Sequence, residues 1–249
     1  MQQSNAYVLL FSAILTIVLG GLLSLTSVGL KPLQDKQVEL DTKKKILGAV
    51  MDISTVEDPN EILRIYDERI ASMVIDRQGN PMENDAKGNP VSAEKVNIQK
   101  NYKVDPEARQ YPVFMFKGES GDIEAYIFPM FGAGLWDWIS GYLALGGDLN
   151  TIKGVAFDHK QETPGLGARI TDAVVQDRYK GKKIFDGVEL VSVTMVKGEG
   201  NTGLSEYQVD GLSGATMTAK GVNVMLEHYL SCYIPFIEKT KSSNKVALN

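Results

Sequence analysis

Asp210-Gly-Leu-Ser-Gly-Ala-Thr-Met-Thr218 follows a strand-like run at 207–210 and leads directly into an amphipathic stretch at 217–234. In that stretch Val222, Leu226, Tyr229, Leu230 and Tyr233 recur at helical spacing, which predicts a final helix with one face on a core. Ser213, Gly214 and Ala215 are small and leave the backbone open to a bulky group. The first turn of a helix offers free N–H groups and the positive end of its dipole. Thr216 therefore stands where a phosphate-bearing group is electrostatically favoured. An ordinary cap, with Ser213 or Thr216 closing the helix and no ligand, satisfies the same helix physics.

Outward from this stretch, strand-like runs occupy 113–117, 123–129, 152–159, 188–196 and 207–210, and 168–179 is helical in pattern. Asp58-Pro59 supplies an N-cap followed by proline at the first helical position, opening a helix near 60–70. Residues 38–52 read as a further helix, and 77–90 (RQGNPMENDAKGNP) as a Gly/Asn/Pro loop. The strands do not alternate regularly with helices. The expectation is an α+β domain with a mainly antiparallel sheet and flanking helices.

Two further stretches have the composition of binding loops. Asp158-His-Lys-Gln-Glu-Thr-Pro-Gly-Leu-Gly167 closes a strand with a Pro-Gly turn; Gly165 and Gly167 free the backbone, while Glu162 and Thr163 supply polar handles. Phe131-Gly-Ala-Gly-Leu-Trp-Asp-Trp138 sets two indoles in a Gly-rich loop, where either could cover an aromatic ligand or sit in the core. A plain strand-to-helix turn accounts equally well for the first. Neither matches a P-loop or a G-x-G-x-x-G fingerprint.

Composition narrows the function. The 249 residues carry a net charge of -5 and no basic run interleaved with aromatics, which argues against a nucleic-acid partner. The single cysteine, Cys232, excludes an internal disulfide or a Cys-only cluster, and two histidines leave little for a metal site. Residues 6–30 contain no charge and no proline; as a helix they reach about 37 Å, against a hydrocarbon core of roughly 30 Å. The tail before them lacks Lys and Arg and no Ala-x-Ala site follows, so a retained anchor is expected rather than a cleaved signal. Lys31, Lys36, Lys43, Lys44 and Lys45 all follow the span, which by charge puts the domain in the cytoplasm, although long domains cross largely regardless of charge.

The apolar span, the Gly-Leu-Trp loop, the Glu-Thr-Pro-Gly-Leu-Gly loop and Ser-Gly-Ala-Thr occur in an order that resembles the C subunits of the sodium-translocating NADH:quinone reductases. The G subunits of Rnf-type ferredoxin–NAD complexes share much of the pattern, and a non-redox membrane-tethered binding module is the reading without it. One residue more separates His159 from Glu162 here than in the family's usual His-x-Glu-Thr-Pro. The resemblance implies a tail at 1–5, a transmembrane helix at 6–30 and a helical linker with the first part of the soluble domain at 31–105. An FMN-binding domain at 106–238 and a C-terminal tail at 239–249 follow. It implies one covalent FMN per chain, joined through its phosphate to Thr216 by a FAD-dependent flavin transferase. Cofactor contacts are then expected from Gly134, Leu135, Trp136, Glu162, Thr163, Pro164, Gly165, Leu166, Gly167, Asp210, Ser213, Gly214, Ala215 and Thr218. It further implies a six-subunit complex in a bacterial inner membrane that oxidises NADH, reduces quinone such as ubiquinone and pumps sodium. In it the N-terminus is cytoplasmic, the domain periplasmic, and this subunit has no complete activity alone.

Overall fold

The computed structural model describes residues 4–85 and 87–247; residues 1–3 and 248–249 of the expected tails lie outside the described residues. The chain divides into two units, Met1–Thr42 and Lys43–Asn249, joined along one helix, α1 (Asn5–Gly48). In the first unit α1 carries an 18-residue window of mean hydropathy 2.5 with none of it buried, which makes it long and apolar enough to cross a membrane. Two of its hydroxyls are tied back to its own carbonyls, Thr16 to Ser12 (2.8 Å) and Thr26 to Leu22 (3.0 Å), which takes these two polar groups off the apolar surface. The separate helix expected at 38–52 is instead the continuation of α1 through Pro32. One proline removes a single helical N–H bond, and the helix formers on both sides outweigh that loss.

The second unit continues with α2 (Pro59–Arg69), whose N-cap Asp58 accepts from the Asn60 amide, then β1 (Ile70–Ile75) and β2 (Pro81–Met82). After the short α3 (Ile98–Asn101) come β3 (Tyr111–Lys117), β4 (Ile123–Ala133), β5 (Trp138–Gly146) and β6 (Ile152–His159). Next are α4 (Ala173–Asp177) and four two-residue strands, β7 (Phe185–Asp186), β8 (Glu189–Leu190), β9 (Thr194–Met195) and β10 (Gln208–Val209). The last element is α5 (Thr216–Ala247). The main sheet has the order β2-β1-β3-β4-β5-β6, antiparallel at every pair, while β9 and β10 pair in parallel.

Four local expectations change. The single strand expected at 188–196 is two short pieces, β8 and β9, which pair in different sheets. β5 is masked in the sequence by its glycines, yet Gly141 is a packing position: a Cβ there would lie 2.7 Å from the Phe157 ring. The helical pattern at 168–179 breaks at Asp172, which is extended, so a 3-10 turn at Gly167–Thr171 and α4 replace one helix. The loop at 77–90 contributes β2, paired at the sheet edge where a proline is tolerated.

Helix α5 lies across the sheet. Val222, Met225, Leu226, Tyr229, Leu230 and Tyr233 are at most 2% exposed, each worth about 1.5–3 kcal/mol of burial. The Phe128 and Tyr233 rings meet at 4.6 Å, and the Tyr233 hydroxyl donates to the Pro112 carbonyl at 3.0 Å. Two glycines set the approach of helix to sheet. A Cβ on Gly132 would come within 2.8 Å of Met225, and one on Gly221 would run into the Ala133 carbonyl. Gly221→Ala should therefore lower unfolding stability by about 1–3 kcal/mol through overpacking, despite alanine's better helix propensity. Urea unfolding measures this; an unchanged or raised midpoint contradicts the close approach.

Candidate functional site

The turn into α5 is built by Gly214, whose φ of +74° suits glycine, and by the Ala215 amide donating to the Leu212 carbonyl at 3.3 Å. A Cβ on Gly214 would press on Leu166 at 2.8 Å. Past the turn the helix sorts its first residues: Thr216 and Met217 face outward, whereas Thr218 is buried. Among the described residues neither the Ser213 nor the Thr216 hydroxyl makes a hydrogen bond, so the side-chain cap that helix physics allows is not formed. Thr216 presents an unengaged hydroxyl at the positive end of a helix.

Beside it, Glu162 joins three segments. The residue is 4% exposed; Oε1 accepts from the amides of Leu135 (2.8 Å) and Trp136 (3.0 Å), and Oε2 from the Thr218 hydroxyl. The amide of Glu162 donates to His159 Nδ1 at 3.3 Å, which gives His159 a role in shaping this loop. Gly134 and Gly167 pack directly on the carboxylate, and a Cβ on either would collide with it. The β4–β5 turn at 134–137 is closed by the Gly134 amide on the Asp137 carbonyl (2.8 Å), and Trp136 Nε1 donates to Thr163 Oγ1 at 3.1 Å. Three segments distant in sequence are thus fixed around one buried carboxylate.

The result is a cleft of about 190 Å³ lined by Leu135, Glu162, Thr163, Leu166, Gly167 and the first residues of α5, Gly214 to Thr218. Its surroundings are unusually apolar for a surface: Leu135 is 49%, Trp136 67%, Leu166 41% and Met217 55% exposed. Thr216 also borders a second cleft, of about 110 Å³, with Lys197, Gly198, Lys220 and Asn223. Met217 and this second cleft lie beyond what the sequence reading anticipates. The signal available is Lys220, one helical turn beyond Thr216 and so on the same face.

Most of the residues expected at the site converge there. Pro164 and Gly165 shape the turn behind it, Gly165 with a φ of +75°, and neither lines the cleft. Asp210 points elsewhere: its carboxylate accepts from the amides of Gly200 (2.8 Å) and Asn201 (2.9 Å). Burial raises this carboxyl, but the Gly200 amide, Asn201 and Arg178 outweigh it and hold it at about 2. Glu199 is likewise held at about 2, by hydrogen bonds from Arg169 (2.7 Å) and Arg178 (2.9 Å). Arg178 also donates to the Gly211 carbonyl at 2.6 Å, so this network braces the loop at 197–201 and the approach to Gly214. Among the described residues no His, Cys, Asp and Glu group could hold a metal. The site offers a hydroxyl, an apolar rim and a helix dipole.

Residues 134–231 match the family described as FMN-binding domain. The chain is 33% identical over 248 residues to the C subunit of the Na(+)-translocating NADH-quinone reductase of Neisseria meningitidis, spanning 95% of this chain and 93% of that protein. With the corresponding C subunit of Pseudomonas aeruginosa it shares 29%, over 92% of each. The crystal structure of the C subunit from Parabacteroides distasonis superposes with a TM-score of 0.70 at 36% identity, covering 84% of this chain and 96% of that one. That of Shewanella oneidensis NqrC superposes at 0.68 and 28% identity, covering 82% and 98%.

Removing the shared carboxylate tests the geometry. Glu162→Ala leaves two amides and a hydroxyl without their acceptor and should cost about 2–3 kcal/mol. Amide hydrogen exchange should accelerate at Leu135 and Trp136. Unchanged protection at these two positions would show that the turn does not depend on Glu162.

Proposed function

The chain belongs to the C-subunit family of the Na(+)-translocating NADH-quinone reductases, and from that premise we propose that it holds one FMN by a phosphoester bond to Thr216 and relays single electrons between redox centres of the complex. The observation that carries the proposal is the Thr216 hydroxyl itself: exposed, unbonded and at a helix N-terminus between two clefts.

The residues present fit the group. Gly167, Gly214 and Ala215 carry little or no side chain and so leave the first cleft open to a bulky group. Leu135, Leu166 and Met217 in its lining, with the exposed Trp136 beside them, offer the apolar surface that a flat ring needs. The N-terminus of α5 favours the negative charge that a phosphodiester keeps after attachment. Attachment joins the Thr216 oxygen to the FMN phosphorus while the pyrophosphate bond of FAD breaks and AMP leaves. A separate FAD-dependent transferase supplies the catalysis, so Thr216 is a modification site. When bound, FMN supplies one-electron redox chemistry; the protein's part is to position it and exclude alternatives. Glu162 does this at one remove, by holding the Leu135–Trp136 turn and the first turn of α5 together.

The helix at the N-terminus serves as a single membrane anchor in a bacterial inner membrane, with the N-terminus cytoplasmic and the domain periplasmic. The lysines after the span oppose that orientation, and the charge rule yields because a domain of this length crosses largely regardless of charge. Partners are the other five subunits of the complex. NADH oxidation, quinone reduction and sodium movement need them, and this chain performs none by itself.

Chain produced together with the flavin transferase should give a band on denaturing gels that fluoresces under ultraviolet light. Mass spectrometry should place one FMN less a water on the peptide containing Thr216. Thr216→Ala should abolish both signals. A fluorescent band that survives in Thr216→Ala would defeat the attachment site.

A further inference from the structure

We propose that Lys220, together with Lys197, is the counter-charge that receives the phosphodiester on Thr216, drawing the phosphate into the second cleft and leaving the first to the ring. This rests on the attachment of FMN to Thr216 proposed above.

The two clefts bordering Thr216 differ in charge. The residues lining the first include the Glu162 carboxylate and no cation. Those lining the second include Lys197 and Lys220 and no carboxylate. A phosphodiester is a permanent anion, so beside Glu162 it meets a like charge, and on the other side of Thr216 it meets two ammonium groups. Lys220 is four residues beyond Thr216 on α5, one turn along the same face, where a long side chain reaches a group carried by the threonine.

Both ammonium groups are available. Among the described residues neither Lys197 nor Lys220 is in an ion pair. The nearby carboxylates are committed elsewhere, Glu199 to Arg169 and Arg178 and Asp210 to Gly200 and Asn201. The wall is also held in place. Asn223 on α5 accepts from the Met195 amide at 2.8 Å and donates to the Met195 carbonyl at 3.0 Å. This bidentate contact pins the end of β9 to α5 two residues before Lys197. No role in the hydrophobic core competes for either lysine, since both are exposed.

The test uses the full chain, produced with the transferase and kept in detergent, as wild type, Lys220→Gln and the double variant Lys197→Gln/Lys220→Gln. Intact mass first establishes FMN on Thr216. The 31P resonance of the phosphodiester is then followed as salt is raised. We expect the variant resonances to be displaced from wild type at low salt, and the wild-type resonance to move toward the double variant's position as salt screens the pair, while the double variant stays put. Loaded variants whose resonance and salt response match wild type would overturn the role of the lysines and leave the attachment standing. Wild type bearing no FMN on Thr216 would bring down the attachment and this inference with it. If Lys220→Gln fails to load, restored loading in Lys220→Arg supports the charge role, and failure of both variants to load contradicts it.

Discussion

The site depends on one buried carboxylate that, among the described residues, forms no ion pair. Glu162 is held by hydrogen-bond donors: two consecutive amides of the β4–β5 turn and the hydroxyl of Thr218. Burying a carboxylate is costly unless both of its oxygens are hydrogen-bonded, which ties the turn, the loop after β6 and the first turn of α5 into a single arrangement. Gly134 and Gly167 follow from this constraint, since any side chain there would displace the carboxylate. The polar contact thus fixes geometry, while the apolar residues around it remain free to meet a ligand.

Helix α5 links that geometry to the core. Its buried face, from Val222 to Ile237, packs on β4 and anchors the helix rigidly, and its first turn projects beyond the sheet to form the site. Gly132 and Gly221 bring helix and sheet close at the end nearest Thr216, so the position of that residue is set by core packing more than by the loop before it. Membership of the C-subunit family gives the arrangement its meaning. An exposed hydroxyl sharing a cleft with Leu135, Leu166 and Met217, with Trp136 exposed beside Leu135, suits a tethered aromatic group better than a substrate that must come and go.

Much of this is legible in the sequence where local chemistry and tertiary demand agree. The period of α5 announces its buried face, β6 keeps its ends, and the small residues before Thr216 mark a close approach. Local pattern misleads where glycine serves packing: Gly141 and Gly146 make β5 look like a loop, although the strand lies between β4 and β6 in the sheet. It fails also where a tertiary contact redirects a polar residue. Asp210 sits within the most informative stretch of the chain, yet its partners are the Gly200 and Asn201 amides of a loop whose path no local pattern gives. Glu162 is legible as a polar handle, but its three donors come from segments far apart in sequence.

That Thr216 carries the flavin between a Glu162-organised apolar cleft and a cationic one is tested most directly by an experimental density map of the chain from cells that express the transferase. Continuous density is expected from the Thr216 side-chain oxygen into a phosphate, with the ring against Leu135, Trp136, Leu166 and Met217. A bare Thr216 in fully loaded material, or a ring seated away from those four side chains, would contradict it.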